Sequence, residues 1–167
     1  MPSQPTSGQA TGLAFRPDEW ELLTRLPARV MIAAASAEAD SARRTVAEGL
    51  AGLDAIAAGR ASPSHLVRAV VAAIYAETDG NDTPAAEEFT DRVAGLAGVL
   101  ADCRAVSALL ADRTTSADAE AYRGWLVEIA HTVCGSARSG GVLGVGGAKV
   151  SAAEKRFLAD LAAALAG

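Results

Sequence analysis

Phe89-Thr90-Asp91-Arg92-Val93-Ala94-Gly95-Leu96-Ala97-Gly98-Val99-Leu100-Ala101-Asp102-Cys103-Arg104-Ala105-Val106-Ser107-Ala108-Leu109-Leu110 is the stretch that settles the fold class. Phe89, Val93, Leu96, Leu100, Cys103, Ser107 and Leu110 recur at alternating spacings of four and three. That period belongs to one face of a helix and fits no strand. The spacing predicts a helix over Pro84 to Arg113, the longest in the chain. A heptad row of this length, flanked by short connections, reads as one helix of a bundle rather than a dimeric coiled coil. Gly95 and Gly98 cost about 1 kcal/mol each against alanine in an exposed helix. They are therefore read as points where another backbone comes close.

The same period continues on both sides. A helix is predicted over Pro17 to Glu38, with Pro17 at its first position and Asp18 and Glu19 at the positive end of its dipole. Leu23, Leu26, Val30, Ala33 and Ala37 form its inward row, which Trp20 begins. Pro27 falls inside this row and predicts a kink or break there. The next helix, Val46 to Ala58, opens on the capping-box spacing Thr45–Glu48 and ends at Gly59. Val46, Leu50, Leu53 and Ile56 form its inward row. A helix over Pro63 to Glu77 takes Ser62 as cap and carries two apolar rows, Leu66-Val70-Ile74 and Val67-Val71-Tyr75. Such a wide apolar arc places this helix, or the long one after it, near the centre.

Beyond the opening stretch, a helix over Ala117 to Arg138 is capped by Ser116. Tyr122, Leu126, Ile129, Val133 and Ala137 face inward, with Trp125 on their flank. The last helix, Ala152 to Leu165, has Ser151 and Glu154 as a second capping box and Phe157, Leu158, Leu161 and Leu165 as its stripe. Trp20 precedes Glu48 by 28 residues and Trp125 precedes Glu154 by 29, a faint echo between two helical hairpins. The fold class is all-α: a single-domain bundle of about six helices over 15–167, behind a Pro/Ser/Gly-rich tail over 1–14 expected to be disordered.

Composition agrees. Of 167 residues 40 are alanine and only 4% are aromatic, so the core must come from Leu, Val, Ile and Ala. A net charge of −5 argues against a general binder of nucleic acid or anionic membrane. Mean hydropathy is positive, at +0.20. Much of it comes from alanine, and no membrane span or signal peptide is expected. Cys103 and Cys134 are read as reduced, which points to the cytoplasm.

Each candidate chemistry falls short of its pattern. Glu128-Ile129-Ala130-His131 is a Glu-x-x-His without the second copy that a di-metal bundle needs, and His65 brings no matching Glu. His131 with Cys134 makes two ligands of the three or four that zinc takes, and Cys103 joins only if the helices align it. A Cys134–His131 nucleophilic pair lacks an orienting group. Asp79-Gly80-Asn81-Asp82 starts like a calcium loop, but its twelfth position is Thr90. No cofactor motif is present.

Between the last two helices lies Ser139-Gly140-Gly141-Val142-Leu143-Gly144-Val145-Gly146-Gly147-Ala148-Lys149-Val150-Ser151, with five glycines and no acid. A phosphate cradle here lacks both the preceding strand and the nucleotide-binding spacing, and the Ser151–Glu154 box claims the helix donors. Either its aliphatics close the bundle, or they form a partner-binding patch. The functional expectation follows the second: a non-catalytic interaction module, binding a protein partner or its own copy. The binding residues named are Gly141, Val142, Leu143, Gly144, Val145, Gly146, Gly147 and Lys149.

Phe15-x-x-x-Glu19-Trp20-x-x-Leu23, with Gly140-Gly141-Val142-Leu143-Gly144-Val145-Gly146-Gly147-x-x-Val150-Ser151-x-x-Glu154, resembles a group of small, uncharacterised bacterial helical proteins. More distantly, the paired hairpins resemble the tellurite-resistance TerB-like family. That resemblance implies a metal- or stress-responsive role, with acidic residues of the inter-helix loops as ligands. Glu38, Asp40 and Glu48 are the positions that correspond in the first half, and the second half has no acid before Glu154. An enzyme of unidentified type ranks third, since no nucleophile, base and oxyanion donors converge in the sequence.

Overall fold

A computed structural model describes residues 15–38, 42–78, 89–136 and 150–167, without the side chains of 42–45 and 78. The described residues contain six α-helices and no strand: α1 Pro17–Ser36, α2 Ala42–Ala58, α3 His65–Thr78, α4 Arg92–Arg113, α5 Ser116–Ser136 and α6 Ala152–Ala166. A 3-10 turn, Gly59–Ala61, follows α2. The all-α helical bundle is therefore as expected.

Its centre is not. α1 and α5 each pack against all five other helices, whereas α3 rests on α1 and α5, and α4 on α1, α5 and α6. The expected inward row of α1 is fully formed, with Leu23, Leu26, Val30, Ala33 and Ala37 all buried. Glu19, Thr24, Pro27 and Ala34 are buried beside it and widen the arc. In α5, Ala119, Ala130 and Cys134 do the same beside Tyr122, Leu126, Ile129 and Val133. Small and polar residues complete both arcs, so hydropathy alone undercounts them. In α3 the two apolar rows are buried only in their first turns, and Tyr75 at the far end is exposed.

Pro27 does not break α1, which runs through it from Pro17 to Ser36. Proline offers no N–H to the carbonyl one turn back, at Leu23. The Tyr122 hydroxyl donates to that carbonyl instead, at 2.8 Å.

The heptad row of α4 holds only in its second half. Cys103, Ser107 and Leu110 are buried with Val106, but ahead of them the buried positions are Gly95 and Val99. Val93 is 76% exposed. Gly95 is thus a packed position, and a Cβ at Gly98 would stand 3.4 Å from the Arg29 guanidinium. α4 starts at Arg92, with the Asp91 carboxylate accepting from the Ala94 amide at 3.1 Å, and the expected start at Pro84 lies outside the described residues.

Two other expected caps move by one or two residues. Ser64, not Ser62, caps α3: its hydroxyl accepts from the Val67 amide at 3.3 Å. Thr115, not Ser116, caps α5, accepting from the Asp118 amide at 3.2 Å. Ser64 also donates to the Asp118 carboxylate at 2.6 Å, which ties the two helix starts together. The Ser151–Glu154 box forms as expected: Ser151 accepts from the Glu154 amide at 3.1 Å, and Glu154 accepts from the Ser151 amide at 2.7 Å. The Thr45–Glu48 box does not. α2 already begins at Ala42, so Thr45 lies inside the helix and cannot be its cap.

Candidate interaction surface

The segment named from the sequence, Gly141, Val142, Leu143, Gly144, Val145, Gly146, Gly147 and Lys149, lies outside the described residues, as do Asp40 and the Asp79–Asp82 turn. What is described is the helix end it leads into. There the Ser151 and Glu154 side chains occupy one backbone donor each, and the Glu154 carboxylate is buried. A carboxylate at this helix start opposes a bound anion by like charge.

The largest departure from the sequence reading is in α2. Val46, Leu50 and Leu53, expected in the core, are 64%, 61% and 52% exposed. Only Ile56 of that row is buried, at 3%. Helical geometry explains the split: Val46, Leu50 and Leu53 fall within roughly 60° of arc, and Ile56 lies about 60° further round. The buried face of α2 is instead Glu48, Gly52, Ala55 and Ile56, followed by Gly59.

Small residues face inward because α5 comes close there. A Cβ at Gly52 would meet Met31 and stand 3.0 Å from Val133 of α5. A Cβ at Gly59 would stand 2.9 Å from the Trp125 ring and 2.8 Å from Val71. The Trp125 indole donates to the Ala55 carbonyl at 3.2 Å, in the last turn of α2. Close approach of α5 therefore turns the large aliphatic side chains of α2 outward. Gly49 lies between that row and Ile56 on the helix surface, and a Cβ there would meet nothing within 4 Å.

This is an apolar row at i, i+4 and i+7 on an exposed helix face, the pattern by which one helix recognises another surface. The large residues alone could not reveal it. The spacing Glu48-Gly52-Ala55-Gly59 was the available signal, since glycines at helical period mark a close helix contact.

The other candidates are not brought together. His131 is exposed and Cys134 is buried, so the helix presents them to different surroundings. Glu128 is also exposed. Glu48 is buried in α2, and Glu38 is partly exposed beyond the end of α1. Among the described residues no three of His, Cys, Asp and Glu gather as a metal-holding group. Cys103 is fully buried, and its thiol is pushed up to about 12 by burial, against the opposing pull of Arg29 and Arg104. A nucleophilic cysteine must be a thiolate, so Cys103 is chemically quiet at neutral pH.

A cavity of about 380 Å³ lies where α2, α3 and α5 meet, lined by Ala55, Gly59, Val67, Trp125 and Glu128 among others. Glu128 is its one charged lining residue, and the Trp125 N–H is already used. Ser62 and Thr132 add the two hydroxyls of its lining. Among the described helices α4 alone is long and apolar enough to cross a membrane by length and composition. Its inward residues pack on α1, α5 and α6.

No known family model, functionally curated protein or solved structure matches this chain.

Proposed function

We propose that residues 15–167 form one helical domain, with the glycine-rich segment as the connection from α5 to α6, and that it acts as a non-catalytic protein-interaction module of the cytoplasm. One observation carries this reading: Val46, Leu50 and Leu53 present large aliphatic side chains to solvent as a continuous helical row. More than half of each stays in water, which forgoes a corresponding share of the roughly 1.5–3 kcal/mol that full burial of such a side chain returns. A partner surface returns it. The glycine-rich segment contributes a second apolar group in this reading, through Val142, Leu143 and Val145.

The test is Leu50→Asp in the full chain. A binding surface predicts an unchanged melting temperature and helical signal, with association lost. A core position predicts the opposite, a loss of several kcal/mol of stability. Unfolding of Leu50→Asp would show that the row closes against its own chain and would remove the basis for the proposal. Leu143→Asp, measured alongside, separates the contribution of the glycine-rich segment.

A further inference from the structure

We infer that the groove between the end of α2 and α5 binds a small organic amine, with its apolar body against Trp125 and its ammonium group at Glu128. The groove is separate from the row of Val46, Leu50 and Leu53, since Ala55 in its wall lies roughly opposite that row round α2.

Shape is the first argument. Ala55 and Gly59 come from α2 and the turn after it, Val67 from α3 and Trp125 from α5. All four are buried. The indole N–H among them already donates to the Ala55 carbonyl, so the inner wall presents an apolar surface. Small-molecule sites are concave, mostly apolar and of about 300–1,000 Å³. At about 380 Å³ this groove stands at the small end of that range. It holds roughly a dozen non-hydrogen atoms, at the ~30 Å³ that each takes in a liquid such as water. A nucleotide is too large for it, and the side chain of a partner's lysine fills less than half of it.

Charge is the second. Gly124, Glu128 and Thr132 follow one another at single-turn spacing on α5, and all three line the groove. Gly124 and Glu128 are exposed, which sets the carboxylate at the mouth with the apolar residues behind it. Gly124 keeps that mouth open, since a Cβ there would meet nothing within 4 Å. Among the described residues no basic side chain lines the groove, and none pairs with Glu128. The Ser62 hydroxyl already accepts from the Ser64 amide at 3.2 Å, and the Thr132 hydroxyl lies one turn beyond Glu128. A carboxylate with a hydroxyl beside it suits an ammonium group, which brings three donors and the opposite charge. An anion would meet only like charge there.

The test uses phenethylamine, an ammonium ion at neutral pH, and 2-phenylethanol, which has the same body without the charge. Each is titrated to about 10 mM into the full chain carrying Trp20→Phe, and the Trp125 indole N–H resonance is followed. A saturable shift is expected with phenethylamine, with a dissociation constant of about 1 mM, as befits so few atoms. 2-Phenylethanol should bind about threefold more weakly, the share that an exposed carboxylate contributes. Glu128→Gln should abolish that preference and leave 2-phenylethanol unchanged. Gly124→Leu should fill the groove and remove both shifts, with no fall in melting temperature, because leucine is the better helix former.

Four results overturn the inference: no saturable shift with phenethylamine, equal affinity for the two probes, a preference that survives Glu128→Gln, or undiminished binding by Gly124→Leu. The comparison of the two probes needs neither substitution and so decides even where one of them unfolds the chain. N-acetyllysine methylamide is titrated as a further probe. Tighter binding of it than of phenethylamine would give the groove to a lysine of a protein partner and overturn the small amine. All of these outcomes are independent of the α2 row, whose own test is association by Leu50→Asp.

Discussion

The Tyr122 hydroxyl donates to the Leu23 carbonyl at 2.8 Å, and both residues are fully buried. This bond joins the two central helices, α5 and α1. It falls on the carbonyl that Pro27 leaves without its helical donor. A buried carbonyl without a partner costs about 1–3 kcal/mol. One phenol on the facing helix thus lets α1 keep a proline in its middle. Tyr122 also meets Trp125 edge-on, with ring centroids 5.8 Å apart, and Trp125 in turn bonds the end of α2. The central pair is held in register by side chains that answer specific backbone groups.

Tyr122→Phe should therefore lower stability by about 1–3 kcal/mol, read as a fall in the urea midpoint, because it removes the donor and keeps the ring. The informative measurement is the double-mutant cycle with Pro27→Ala. Alanine restores an N–H to the Leu23 carbonyl, so Tyr122→Phe should cost less in that background. Equal costs in the two backgrounds would show that the proline and the tyrosine are not coupled.

The glycines divide into two groups with opposite expected signs. Gly59→Ala places a methyl 2.8 Å from Val71 and 2.9 Å from the Trp125 ring, so the contact between α2 and α5 must open. A loss of about 1–3 kcal/mol is expected, with a shift in Trp125 fluorescence measured in a Trp20→Phe background. Gly124→Ala and Gly135→Ala meet nothing within 4 Å and lie inside α5. Those two should gain up to about 1 kcal/mol each from helix propensity. Thermal melts of the three variants decide the matter.

These glycines also mark where the sequence stopped being legible. The all-helical class, the inward rows of α1, α5 and α6, and the Ser151–Glu154 box were readable because each depends on residues within a few turns of one another. The face that α2 buries was not. Val46, Leu50 and Leu53 outrank Gly52, Ala55 and Gly59 on any hydropathy scale, yet the close approach of Val133 and Trp125 favours the small side. That approach is a tertiary fact about α5. The Thr45–Glu48 spacing misled for a local reason: Ala42, Arg43 and Arg44 are good helix formers, and α2 starts at Ala42 and runs through the would-be cap. As for the site, the sequence offered the row of α2 as core and the glycine-rich segment as the partner-binding patch, so the exposed row was visible only once α2 had been oriented.

Ser64 and Asp118 form a joint between two helix starts. Ser64 accepts from the Val67 amide and donates to Asp118, while the Asp118 amide donates to Thr115. Ser64→Ala removes a cap and strands one oxygen of Asp118, for a loss of about 1–2 kcal/mol. Asp118→Ala removes the other end of the same bond. The two losses should therefore combine to less than their sum in the double variant, measured by urea denaturation. Strict additivity would mean that the 2.6 Å bond between Ser64 and Asp118 does not couple them.

Alkaline pH should weaken the fold through Cys103 and Tyr122. Burial raises the Cys103 thiol from 9.0 to about 12 in the folded chain. Burial also raises Tyr122 well above its ordinary value of 10.0, with the neighbouring Cys103 adding to the effect. Between pH 9.0 and about 12 the unfolded chain has released its thiol proton and the folded chain has not, so the folded state binds more protons. Stability from this group is thus fully present below the unfolded value and falls as pH rises through the window. Tyr122 adds the same slope at the upper end, and its ionisation also removes the donor to Leu23. The urea midpoint should decline from about pH 9 upward. In a Cys103→Ala variant, less stable throughout because of the cavity, that decline should be shallower. Tyrosinate absorbance from Tyr122, isolated in a Tyr75→Phe background, should rise only together with loss of the helical signal. A Tyr122 that ionises while the helices remain intact would contradict its burial between α1 and α5.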